Sequence, residues 1–112
     1  MNNSSVLTAL TALIADRKLN PPPEKSYVVS LLNGGTAKIG GKITEEAGEV
    51  VEAADETGPE GRAHLIHEVA DLLFHTLVLL GLKDIPFSDV EAELARRFGI
   101  SGIVEKESRQ KS

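Results

Sequence analysis

Apolar residues recur along most of this chain at three- and four-residue intervals, the spacing that keeps one face of an α-helix apolar. Val6, Leu7, Leu10, Leu13 and Ile14 follow that spacing behind Ser4 and Ser5, either of which can cap a helix start. The stretch NPPPEKS ends this first helix, because its prolines cannot continue it. Ser26 is placed to cap a short second helix, YVVSLLN, which stops at Gly34 and Gly35. Thr36 can cap a third helix from Ala37 to about Glu56. Gly40, Gly41 and Gly48 weaken that helix, and the Gly40–Gly41 pair marks a kink or a place of close approach. After the turn ETGPEGR, a fourth helix runs from about Glu60 to Leu80. Its second half is apolar nearly all round, as expected of a helix covered on several sides. Ser88 with Glu91 has the form of a capping box and opens a fifth helix that ends at Gly99. No stretch shows the two-residue period of a strand. The predicted fold is all-α, with four to five helices in one domain over residues 1–112, its core at about 4–99 and a polar tail at 100–112.

Composition narrows the picture. Hydrophobic residues make up 41% of the chain but aromatics only 4%, which favours aliphatic helix packing over a β-sandwich. A net charge of -5 argues against nucleic acid as a partner. The lack of cysteine excludes disulfides and thiolate metal sites and is compatible with a reducing cytoplasm, the expected location. The start, MNNSSVLTAL, lacks the basic residues and long apolar run of a signal peptide. The longest apolar run, LLFHTLVLLGL, is about half the ~20 residues needed to cross a bilayer. It also contains a histidine, and it reads as a buried helix rather than a membrane span.

The stretch KITEEAGEVVEAADE crowds Glu45, Glu46, Glu49, Glu52, Asp55 and Glu56 into one helix, where like charges one turn apart repel. At about 100° per residue, Glu45, Glu49 and Glu52 share a stripe, and Glu46 lies about 100° away, on a flank. On the fourth helix His64, Glu68, Asp71 and His75 share a second stripe, bordered by Leu65, Val69, Leu72 and Thr76. An antiparallel pair of helices would bring the two stripes together. The converging carboxylates then form either a screened acidic surface or a seat for a hard cation, which takes oxygen ligands. A zinc or di-iron centre built on the histidines normally shows E-x-x-H pairs, and none occurs here. His64, His67 and His75 are therefore read as hydrogen-bonded or surface residues, not ligands.

The segments EEAGE (Glu45–Glu49) and EVAD (Glu68–Asp71) form the pattern E-E-x-x-E … E-x-x-D. In this the chain resembles the MazG-like all-α nucleoside triphosphate pyrophosphohydrolases. The longer segments SYVVSLLNGGTAKIGGKITEEAGEVVEAA, HEVADLLFHTLVLL and RRFGISGIVEKESR look like the phosphoribosyl-ATP pyrophosphohydrolase family of histidine biosynthesis, and the likeness runs from about Leu7 to Arg109. Thr44 departs from the family pattern, where glycine is common, and so does Gly40–Gly41, where residues are bulkier. Nothing here is long enough for the cyclohydrolase domain fused to some members, so the chain resembles the stand-alone form.

The resemblance implies hydrolysis of phosphoribosyl-ATP to phosphoribosyl-AMP and pyrophosphate. It implies Mg²⁺, with Mn²⁺ as the alternative, held by Glu45, Glu46, Glu49 and Asp71, with Glu68 as a direct or supporting ligand. Such ions would reverse the sign of the acidic cluster and lower the pKa of an attacking water at the α–β linkage. Glu46 and Glu49 are the candidate catalytic carboxylates, Glu46 being the one to take the water's proton. Lys38 and Lys42, one helical turn apart, are expected to contact phosphate, Lys being a usual phosphate binder; Lys42 can alternatively pair with Glu46. Relatives form dimers, so a homodimer is expected, with the site near the subunit contact. Two other functions stay open: a house-cleaning hydrolase of noncanonical nucleotides, and a non-catalytic helical dimerisation module.

Overall fold

A computed structural model describes residues 6–100 as four helices and no strand. They are α1 (Val6–Leu19), α2 (Tyr27–Ala54), α3 (Gly58–Leu82) and α4 (Phe87–Phe98). The expected all-α fold is present. The expected cap at Ser4 or Ser5 and most of the polar tail lie outside the described residues.

The second and third predicted helices are the two arms of α2. Gly35 interrupts it with φ 70° and ψ -166°, a backbone that side chains other than glycine's disfavour. The break therefore falls at Gly35, and Gly40 and Gly41 lie in unbroken helix. Thr36 is already helical and does not cap; Gly35 takes the non-helical position in its place. Ser26 does cap the first arm, its hydroxyl accepting from the Val29 amide at 3.3 Å. Across the kink, Lys38 Nζ donates to Ser30 Oγ at 2.6 Å and brackets the two arms.

Residues 55–57 turn the chain between α2 and α3. Contacts pair Glu56 with His64 and Tyr27 with His75, so later residues of α3 meet earlier residues of α2. The two helices are antiparallel. The core sits where α1 crosses this pair. Ile14, Val28, Leu31, Ile39, Leu77 and Val78 are buried there, with Leu10, Ile43, Phe74 and Phe87 packed around them. A Cβ on Gly81 would lie 2.6 Å from Ile14 Cγ2, so the missing side chain lets α1 approach α3. Lys18 fastens the same crossing, its ammonium donating to the carbonyl of Leu82 at 2.9 Å and to Asp84 Oδ1 at 2.8 Å. A cation there also complements the negative end of the α3 dipole.

By length and composition α3 would also pass as a membrane span. Here it is the central helix, with Glu68, His75, Leu77 and Val78 buried. Another face of α3 stays uncovered: Ile66, Val69 and Leu73, at helical spacing, are 53%, 38% and 42% exposed.

The helix α4 begins at Phe87 after an extended Pro86, not at the Ser88–Glu91 box, and no side-chain cap forms. Phe87 packs on the core, which draws the helix start forward past Ser88. Its end is as expected, with Gly99 left-handed at φ 65°.

Candidate active site

The antiparallel pair carries its apolar contacts at the α1 end and its acids toward the α2–α3 turn. The buried face of the second arm of α2 runs through Ile39, Glu46 and Ala53, spaced seven apart, two turns of helix. Glu46 is thereby carried inward and is only 7% exposed, against Glu68 of α3 at 8%. Glu46, Glu49 and Glu68 each bring a carboxylate oxygen within 4.8 Å of the others. Two of these oxygens, Glu46 Oε2 and Glu68 Oε1, are buried without a hydrogen-bond partner.

This arrangement is electrostatically frustrated. Burial, contact with Glu68 and the nearby charges of Glu49 and Asp71 push the Glu46 carboxyl up to about 7. The contact with Glu46, and then His64, hold Glu68 down. The Glu46–Glu68 pair thus keeps one proton between its members to near neutrality. Buried acceptors without donors are costly, and a cation is the partner that would satisfy several at once. The donor set, all carboxylate, fits a hard divalent ion.

The predicted residues divide as follows. Glu46, Glu49 and Glu68 converge, and Asp71 stands one turn beyond Glu68, close enough for its charge to raise Glu46. Glu45 does not join them. It is exposed and faces Lys42, whose ammonium lies 3.5 Å from Glu45 Oε1. The expected stripe of Glu45, Glu49 and Glu52 is therefore corrected to one of Glu46 and Glu49, and Glu46 is at its centre, not on a flank. The physical reason is the phase of the helix, set by Ile39 and Ala53 at the same angle as Glu46. The same correction gives Lys42 Glu45 as its partner in place of Glu46; this neighbour and the Tyr27 phenol raise its pKa and keep it charged at the rim. Lys38 is held on Ser30.

The histidines are all engaged. His64 lies between two carboxylates, with Nδ1 2.9 Å from Glu56 Oε2 and Nε2 3.1 Å from Glu68 Oε2. These neighbours, Glu56 first, raise its pKa. It thereby pins one oxygen of Glu68 and leaves Oε1 for the seat. His67 Nε2 is 3.2 Å from Asp71 Oδ2. His67 is also grouped with Glu68 and Asp71, an arrangement that could hold an ion, although the sequence reading left the histidines out of the metal site. His75 is buried and donates from Nδ1 to the Asp71 carbonyl at 2.8 Å. Its Nε2 is hydrogen-bonded to Tyr27 Oη at 2.8 Å. Tyr27 and the orienting role of His64 escaped the sequence reading. His64 is four residues before Glu68, a spacing that signals the contact; the Tyr27 contact joins α2 to α3 across 48 residues and leaves no local signal.

The model of the family described as phosphoribosyl-ATP pyrophosphohydrolase matches residues 7–98. A protein named phosphoribosyl-ATP pyrophosphatase from Geotalea daltonii is 51% identical over 110 residues, covering 97% of this chain and 99% of that one. A protein of the same name from Novosphingobium aromaticivorans is 50% identical over 109 residues, 97% of this chain and 98% of that one. One from Rhodopirellula baltica is 49% identical over 104 residues, 93% of this chain and 82% of that one.

Proposed function

Since the chain belongs to the phosphoribosyl-ATP pyrophosphohydrolase family, we propose that it hydrolyses phosphoribosyl-ATP to phosphoribosyl-AMP and pyrophosphate. Relatives near 50% identity over almost the whole chain support this. The observation that carries the chemistry is the pair of partnerless, buried oxygens on Glu46 and Glu68.

Glu46, Glu49, Glu68 and Asp71 would hold the ion, which we take to be Mg²⁺, with Mn²⁺ as the substitute. When bound, it would neutralise the acids, offset the charge of the phosphates and make water more acidic. The chain's own residues supply the rest. His64 orients Glu68 from behind, a kind of support that typically changes metal affinity 10–100-fold. Lys42, charged at the rim, meets an incoming phosphate oxygen, and Glu45 steadies it. Lys38 stands one turn back, and a phosphate can draw its ammonium from Ser30. Glu46 takes the proton of the attacking water through a carboxylate oxygen left off the ion. Glu49, half-buried beside it, keeps the water in line.

The uncovered stripe of Ile66, Val69 and Leu73 supports a homodimer. By helix pitch the stripe lies about 160° around α3 from Glu68 and Asp71, so a partner seated there would cover the face opposite the acids, in contrast to the expected place of the site near the subunit contact. Light scattering behind size exclusion that gave a clean monomer at micromolar concentration would count against it. The enzyme is proposed to work in the cytoplasm, without a nucleic-acid or membrane partner.

The test is pyrophosphate release from phosphoribosyl-ATP by the purified chain with Mg²⁺, run beside a nucleotide panel. Turnover of dUTP or dCTP without phosphoribosyl-ATP would replace this reading with the house-cleaning one. Rescue of a histidine auxotroph lacking this step, lost in Glu49→Gln, is the corresponding result in cells.

A further inference from the structure

Tyr27 is held more tightly than its exposure requires. It is 50% exposed, yet two contacts fix its ring. Its face lies against Phe74, with centroids 6.0 Å apart and planes 20° from parallel. Its hydroxyl meets His75 Nε2 at 2.8 Å. Only an N–H can face the Asp71 carbonyl, so Nδ1 of the buried ring carries a proton and Nε2 faces the phenol. The phenol is thereby tied to His75 while one face of the ring rests on Phe74.

The exposed part of this fixed ring lines a groove of about 420 Å³ with Ser26, Ser30 and Asn33. The groove adjoins the acidic site through Tyr27 itself. His75 ties the phenol to the backbone of Asp71. Lys42, its ammonium 3.5 Å from Glu45 Oε1, stands on the same helix beyond the Gly35 kink. A ligand whose phosphates lie at the acids beside Asp71 could therefore extend past Tyr27 into this groove, whose lining also includes Glu24, Lys25 and Val29.

We propose that Tyr27 is the platform on which the purine ring of the substrate stacks, with His75 and Phe74 as the residues that hold it in place. A preorganised aromatic face binds a base without the entropy cost of ordering the side chain first, and stacking tolerates any modification of the base that leaves a π-face. The assignment rests on the phosphoribosyl-ATP reading for the identity of the ligand, and the test separates the two.

The chain has one tyrosine and no tryptophan, so its ultraviolet emission reports Tyr27 alone. Titration with AMP as the probe, corrected for absorption by the nucleotide, should quench that emission saturably. Magnesium pyrophosphate, which has no base, should not. In turnover of phosphoribosyl-ATP, Tyr27→Leu should raise KM about ten-fold or more, the range of one lost base stack. Its kcat should stay within about three-fold, because the lost contact is made equally in ground and transition states. Tyr27→Phe keeps the ring but loses the bond to His75, so its KM should lie between those of wild type and Tyr27→Leu. Emission that ignores AMP overturns the proposal, as does a folded Tyr27→Leu variant with wild-type KM. If Tyr27→Leu does not fold, the emission titration of the wild-type chain decides. Turnover of phosphoribosyl-ATP with a silent tyrosine overturns the platform alone. Quenching by AMP without that turnover overturns the substrate and retains the platform.

Discussion

Glu46→Gln should make the metal-free protein more stable and the enzyme nearly inactive. At pH 8 the shared proton has left the Glu46–Glu68 pair, whose retention extends only to about 7. Two buried carboxylates then face each other with partnerless oxygens. Glutamine has nearly the same shape, removes one charge and offers an amide N–H to Glu68. A hydrogen bond to a charged group contributes about 2 kcal/mol. For a chain of this size that corresponds to a rise in Tm of roughly 6–12 °C. The assay is thermal unfolding followed by circular dichroism in EDTA at pH 8, repeated at pH 5 and with Mg²⁺. At pH 5 the wild-type pair is protonated and the advantage should shrink. With Mg²⁺ the wild type gains stability by mass action, and the variant, short of a ligand, gains less. Turnover should fall by about 10² or more, the usual contribution of a positioned proton acceptor. A variant that melts below wild type in EDTA at pH 8 would refute the reasoning, since Glu46 would then be a structural hydrogen-bonding group. Full activity would refute it equally.

Other consequences follow from the same geometry. Glu49→Gln should lower kcat/KM by about 10² or more, whereas Glu45→Gln should cost less than about ten-fold because Glu45 touches only Lys42 at the rim; equal losses in pyrophosphate-release kinetics would restore the stripe drawn through Glu45. The metal-free protein should lose stability as pH rises. Glu46 in the folded state keeps its proton to about 7, against 4.5 for an ordinary glutamate. The folded state thus binds more protons than the unfolded one in that window, and unfolding free energy falls across it. Urea titrations in EDTA between pH 5 and pH 8 measure this, and a flat or rising profile would contradict it. Gly81→Ala puts a methyl 2.6 Å from Ile14 Cγ2. It should destabilise the α1–α3 crossing by about 1–3 kcal/mol in a urea melt, with Mg²⁺ affinity unchanged; a neutral effect would show that α1 can give way.

Local chemistry made much of this molecule legible in the sequence. Ser26 and the glycine stop at Gly34–Gly35 are read from neighbours along the chain, and both mark real boundaries. The acids of α2 were legible as a cluster but not in phase. Spacings of four and seven place Glu45, Glu49 and Glu52 together as well as any other set, and nothing in the acids themselves says which face turns inward. Ile39 and Ala53 say it, because apolar side chains fix the phase and Glu46 shares their angle. The start of α4 was misread for a related reason. A capping box contributes about 1 kcal/mol, less than burying Phe87, so tertiary packing moved the boundary. The Tyr27–His75 bond joins two helices across 48 residues, a pairing no local pattern contains.

The most direct measurement is an anomalous-difference map from crystals grown with Mn²⁺. A peak about 2 Å from carboxylate oxygens of Glu46, Glu49 and Glu68, with Asp71 turned toward it, is the predicted result. Manganese bound elsewhere, or these four side chains ordered around water alone at saturating Mn²⁺, would contradict a cation seat between α2 and α3.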